Sequence, residues 1–205
     1  MKSNFVWETK RGNKEDKTTH LVDTPISIYI GMGTYNFLDT DQIIEQVTKM
    51  SIPDLFDAEG EEGFRLVEGQ VLDSVHAYIR CVVSTGGGIV QRMENWSKLQ
   101  TGIVVWLDVP AEVICQRLEQ SDGGIEGRPL LAQSDDPVAT LQELMEKRQS
   151  FYSQADIRVK VEADMSVDEV AFAVVKQMHD YIDDNPPAWK MAKAKAQAEG
   201  LDWVK

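Results

Sequence analysis

The chain has 205 residues, 42% of them hydrophobic, and a formal net charge of −13. This is enough apolar material for one compact domain with a core, and the acidic balance argues against nucleic acid or an anionic membrane as a partner. No apolar run approaches the roughly 18 residues of a membrane span, no Cys/His cluster suggests zinc, and Cys81 and Cys115, both in apolar contexts, fit a reducing compartment without a disulfide.

Residues 1–24 are polar and aperiodic and read as a flexible leader, with acids that argue against a transit peptide. A domain over 25–183 follows. Its strand candidates are 26–30, 35–38, 80–84, 103–107 and 157–161, and its helix candidates are 41–50, 53–58, 61–76, 111–120, 137–154 and 167–182. Ile103-Val104-Val105-Trp106-Leu107 does not alternate, as expected of a strand covered on both faces. Pro110 suits a helix start, and Ser166 with Glu169 forms a capping box. Alternating strands and helices predict an α/β fold with a mostly parallel sheet between helical layers. The glycine-rich stretch 121–136 is long for a connection and reads as a lid. Residues 184–205 read as an Ala/Lys-rich helical tail, most simply a solvated one.

The most telling stretch is Ser84-Thr85-Gly86-Gly87-Gly88, three glycines directly after an apolar strand. Such a loop lets a ligand approach the backbone closely. Around it stand Phe37-Leu38-Asp39-Thr40-Asp41, then Gly60-Glu61-Glu62-Gly63-Phe64-Arg65 with Glu68, then Arg128-Pro129-Leu130-Leu131, then Arg148 four residues before Tyr152. In this order and spacing the set resembles shikimate kinase over about residues 26–160. The run from Asn95-Trp96 to Asp108-Val109-Pro110 is most similar to the cyanobacterial and plastid branch of that family.

The resemblance implies a P-loop kinase-like three-layer fold. It also implies ATP-dependent phosphorylation of the shikimate 3-hydroxyl, a step of aromatic amino acid biosynthesis, with Mg2+, in cytoplasm or plastid stroma. By resemblance Asp41 orients the ring hydroxyls as a catalytic and substrate residue, and Arg65 and Arg148 hold the carboxylate. Gly86, Gly87 and Gly88 contribute the loop that contacts substrate, and Asp39 stands near magnesium. Arg128 stabilises the transferred phosphoryl group and, with Gly31 and Gly33, belongs to the nucleotide site. Taken singly, these residues have plainer readings: Asp41 as a helix N-cap, Arg65 or Arg148 in a surface ion pair with Glu61 or Glu146, and Arg128 as a solvated loop residue.

One motif of the resemblance is missing. No G-x-x-x-x-G-K-[ST] follows Ile26–Ile30; Gly31-Met32-Gly33-Thr34 runs straight into Tyr35, and no lysine lies between Lys17 and Lys49. The first βαβ unit is truncated. Four residues cannot carry the chain back to a parallel neighbour, so 26–30 and 35–38 cannot both keep their places. The expected outcomes are a hairpin, a merged strand or an expelled one, with apolar sheet surface uncovered where a helix is lost. Three functions are compatible with the sequence: a shikimate kinase relative impaired in phosphoryl transfer, a working kinase with an unorthodox phosphate site, or a non-catalytic shikimate-binding or interaction module. The molecule is expected as a monomer, or as a dimer over the uncovered sheet face.

Overall fold

The computed structural model describes residues 5–9 as backbone, and 35–121, 124–125, 127–186, 191, 194–195 and 198–199. The strands are β1 (Phe5–Thr9), β2 (Asn36–Asp39), β3 (Cys81–Thr85), β4 (Gly102–Asp108) and β5 (Ile157–Lys160). The helices are α1 (Thr40–Thr48), α2 (Ile52–Val75), α3 (Met93–Leu99), α4 (Ala111–Glu119), α5 (Pro137–Tyr152) and α6 (Val167–Asp184). One sheet has the order β2-β3-β1-β4-β5. β2 runs parallel to β3, and β4 parallel to β5.

β1 lies within residues 1–24, the stretch read from the sequence as a leader. Phe5-Val6-Trp7-Glu8-Thr9 is a run of β-branched and aromatic residues inside an otherwise polar stretch. It fills the central slot and is antiparallel to both neighbours, with Phe5 opposite Thr85 and Trp106, and Thr9 opposite Gly102. Of the two strands expected at the truncated unit, 35–38 is found as β2 and 26–30 lies outside the described residues. The expected uncovering of the sheet is not seen at Val82, Ile103 or Val105, which are only 7%, 1% and 1% exposed.

Local rules account for the helices. Ser51 and Ser166 accept hydrogen bonds from the first-turn amides of α2 and α6, and Ser166 with Glu169 completes the expected capping box. α2 is two helical pieces joined at Gly60, whose φ of 69° and ψ of −179° no other residue would adopt without strain. The two separate helices expected at 53–58 and 61–76 correspond to these pieces. Leu72, Val83, Trp96, Leu99, Val104 and Trp106 pack one core of the sheet, while α6 closes another with Val174 and Met178 over Ile103, Val105, Ile157 and Val159. Trp96 and Trp106 are packing residues: Trp96 Nε1 donates to the Val90 carbonyl at 3.0 Å, and Trp106 stacks on Tyr152 at 5.5 Å. Both cysteines are free and buried. No described helix is long and apolar enough to cross a membrane.

A central strand donates and accepts along both edges, so a proline in it orphans a ladder carbonyl. Val6→Pro is expected to remove about 1–3 kcal/mol of stability, read as a lower urea midpoint. An unchanged midpoint would place Phe5–Thr9 outside the sheet.

Candidate functional site

In a parallel sheet the ligand edge is where strands end. β2 ends at Asp39 and β3 at Thr85, and Gly86–Gly88 follows directly. The loop is braced from behind. Ile89 N–H donates to the Gly86 carbonyl at 3.2 Å and Gln91 N–H to that of Gly88 at 3.0 Å. Asn95 Nδ2 donates to the Ile89 carbonyl at 2.9 Å, and the Tyr152 hydroxyl to the Gly87 carbonyl at 2.8 Å.

A cavity of about 180 Å³ opens in front of this loop. Asp41, Arg65, Gly86, Gly87, Gly88, Arg128 and Arg148, expected from the sequence to belong to one site, all line it. Asp39 does not. Its Oδ1 caps α1, accepting from the amides of Asp41 at 3.0 Å and Gln42 at 3.3 Å. The N-cap is therefore Asp39 and not Asp41, which leaves the Asp41 carboxylate in the first turn, on the cavity wall. Gly31 and Gly33 lie outside the described residues.

Two residues complete the site beyond the roles assigned from sequence. Glu68, fully buried, accepts from Arg65 Nη1 at 2.9 Å, while Glu61 accepts from Arg65 Nη2 at 3.1 Å. Arg65 is thus not the surface ion-pair residue of the plainer reading; it is buried. Its guanidinium stands 5.1 Å from the Phe64 ring centroid. Arg148 is 9% exposed and makes no ion pair among the described residues. Tyr152 links α5 to the glycine loop, a contact across 65 positions of sequence. The spacing of Glu68 three residues after Arg65 on one helix was the signal for the first; nothing local announces the second.

Burial pushes the Glu68 carboxyl from its ordinary 4.5 up to about 7, against the pull of the adjacent Arg65; Asp41 adds to the rise and Arg148 opposes it. Burial also raises the Tyr152 phenol, with Arg148 opposing. Glu68 Oε1 and the Nε atoms of Arg65 and Arg128 are buried without a hydrogen-bond partner among the described residues. Orphaned donors and acceptors beside a cavity are what a polar ligand would satisfy.

The fold and the site have counterparts among known proteins. A family model described as Shikimate kinase matches residues 32–179, well over half of the chain. The chain belongs to the shikimate kinase family. It is 54% identical over 129 residues to the shikimate kinase of Synechococcus elongatus, covering 63% of this chain and 65% of that protein. It is 46% identical over 142 residues to the shikimate kinase of Nostoc sp., covering 69% and 76%. It thus spans just under two-thirds of the length of the Synechococcus relative. Among solved structures it is similar to a shikimate kinase from Acinetobacter baumannii in complex with shikimate, with a TM-score of 0.64 and 33% identity over 74% of this chain and 80% of that one. A shikimate kinase from Bacteroides thetaiotaomicron gives 0.62 and 28%, over 73% and 84%.

The family implies ATP and Mg2+, and the described residues do not fit them. No group of three acidic, His or Cys side chains that could hold a metal is found among them, and the Asp39 carboxylate is engaged at the α1 N-terminus. No lysine-bearing phosphate loop stands in the sequence before β2.

The raised Glu68 carboxyl has a consequence for stability. Between pH 4.5 and about 7 the folded chain holds a proton that the unfolded chain has lost. The stabilising contribution is therefore complete below 4.5 and disappears as pH rises through about 7. Urea unfolding of the wild type and of Glu68→Gln is expected to show their stability difference shifting in favour of the variant across this window. A difference flat in pH would mean that Glu68 does not titrate there.

Proposed function

We propose that this chain binds shikimate in the cavity at the glycine loop and is impaired in transferring phosphate to its 3-hydroxyl. The observation that carries the reading is Arg148, a buried guanidinium without an ion pair among the described residues, on the wall of a cavity that also holds Asp41 and the Gly86–Gly88 loop. A buried cation that makes no salt bridge of its own among the described residues, its neighbouring carboxylate Glu68 being paired with Arg65, favours an anionic ligand, and a planar fork matches a carboxylate. Arg148 anchors the substrate carboxylate. Arg65, already turned by Glu68 and Glu61, supplies a second, partly neutralised contact. Asp41 accepts from a ring hydroxyl, and the glycine loop lets the ring lie against backbone. Arg128 closes the site from the 121–136 stretch.

In the family, ATP supplies the phosphoryl group. Support for impairment comes from sequence and topology together. The glycine loop of a nucleotide kinase follows the carboxyl end of its strand, at the ligand edge. β1 is antiparallel, so its carboxyl end at Thr9 lies beside Gly102, at the edge away from Gly86–Gly88. β2 also enters the sheet at that far edge, with Asn36 opposite Cys81. Both the end of β1 and the start of β2 thus lie at the edge opposite Gly86–Gly88, where a phosphate loop between them would be anchored away from the site. A glycine loop by itself supplies amides without the lysine charge.

Calorimetry is expected to detect shikimate binding to the wild type. Arg148→Ala should raise the Kd by roughly ten- to a hundredfold, since a hydrogen bond to a charged group is worth about 1.5–3 kcal/mol. Equal affinities would remove Arg148 from the site. In a coupled assay, ADP release with shikimate present is expected to stay at background, and Mg·ATP alone to show no micromolar binding. Turnover above background would overturn the impairment and favour a working kinase with an unorthodox phosphate site.

A further inference from the structure

The cavity changes character along its length. On α5 the lining residues are Tyr152, Arg148, Met145, Leu144 and Leu141, all on one stripe of the helix. From Arg148 to Leu141 the helix rises by roughly 10 Å, and every lining residue on that stretch beyond Arg148 is apolar. On α2 the order is the same: Glu68 and Arg65 at one end, Phe64 between, Phe56 and Ile52 at the other. Phe56 and Phe64 stand 4.5 Å apart and carry the apolar wall up to the Arg65 guanidinium. Leu118 of α4 and Leu131 close the far end. Phe56, Leu141, Leu144 and Met145 are only half-buried, so apolar surface stays open to the cavity. A ring bearing hydroxyls and one carboxylate finds Asp41, Arg65, Glu68 and Arg148 at one end, and the α2 and α5 residues that line the cavity beyond them offer it no polar partner.

The geometry points to a second, apolar subsite in the same cavity, walled by Phe56, Leu118, Leu131, Leu141, Leu144 and Met145, which takes a hydrocarbon group carried by a carboxylate ligand anchored at Arg148. The ligand class is a ring carboxylate bearing an uncharged, apolar substituent such as an aryl group. The inference rests on the cavity being the ligand site, but not on shikimate being the ligand. The commitment to a carboxylate comes from the buried guanidinium at the pole. The commitment to a hydrocarbon extension comes from the open wall, since each apolar group buried there leaves water.

The test titrates the full chain by calorimetry with benzoate, biphenyl-4-carboxylate, biphenyl-4-methanol and shikimate. Biphenyl-4-carboxylate is expected to bind at least about tenfold tighter than benzoate, from the added area removed from water. Biphenyl-4-methanol should bind more weakly than the acid. Leu144→Asn should bring the benzoate-to-biphenyl Kd ratio close to one, and Leu141→Asn serves in its place if the first variant loses its cooperative melt. Equal affinities for the two acids would overturn the subsite. So would an alcohol that binds as tightly as the acid, or a ratio that neither variant changes. If shikimate gives no heat while the biphenyl acid keeps its advantage, the shikimate assignment fails and the subsite stands. If shikimate binds and the ratio is one, the subsite fails and that assignment stands. If none of the four binds, both fail.

Discussion

A Cβ on Gly88 would collide with the guanidinium of Arg65, and one on Gly86 would stand 2.8 Å from Glu68 Oε1. The site depends on this absence of side chains. Arg65 and Glu68 form a buried ion pair, and a buried pair is tolerated only when its remaining hydrogen-bonding capacity can be met. Pressing it against bare backbone leaves no room for water-filled slack and fixes both side chains. Tyr152 holds the same loop from the α5 side through the Gly87 carbonyl, so α2, the β3 loop and α5 are locked around one point. Arg148, one turn before Tyr152, takes its position from that lock.

Electrostatics run against the whole-chain trend at this point. The chain carries −13, yet the cavity gathers Arg65, Arg128 and Arg148 around Asp41 and Glu68. The raised pKa of Glu68 weakens the negative side further near neutral pH. Exposed acids act through screened water, while the buried guanidinia act at short range in a medium of lower dielectric, so the local cationic balance decides which ligand enters.

Much of this was legible in the sequence, and the failures have physical causes. The strands over 80–161 could be read because they are short β-branched runs between amphipathic helices, and the Gly60 break could be read because glycine punctuates a helix. The residues of the cavity could be read as a set because their spacing resembled a known family. Asp39 and Asp41 were harder. Two acids in one helical first turn compete for the same cap, and only the backbone decides that Asp39 takes it and Asp41 faces the cavity. The pairing of Tyr152 with Gly87 is a tertiary contact with no local mark. The helix Met93–Leu99 was not anticipated, since seven residues are too few to establish a period. β1 was hidden because five β-prone residues inside a polar stretch carry too little pattern to outweigh their surroundings.

β1 also changes how the family resemblance should be understood. A sheet order of β2-β3-β1-β4-β5 needs something in its centre, or β3 and β4 would present unpaired edges to each other. The hydrogen-bonding demand of the slot is satisfied by either strand direction, because both ladders pair every N–H and C=O of a central strand. Direction matters for what the strand's ends reach. A parallel occupant would end beside Thr85 and Gly86–Gly88, whereas the antiparallel Phe5–Thr9 begins there, with Phe5 opposite Thr85, and ends at the opposite edge, with Thr9 opposite Gly102. The backbone thus meets the same hydrogen-bonding requirement with the strand's first residue, and not its last, beside the glycine loop. The described residues that line the cavity come from α1, α2, α4, α5, the loop after β3 and residues 128–131, and β1 supports them only by pairing with β3.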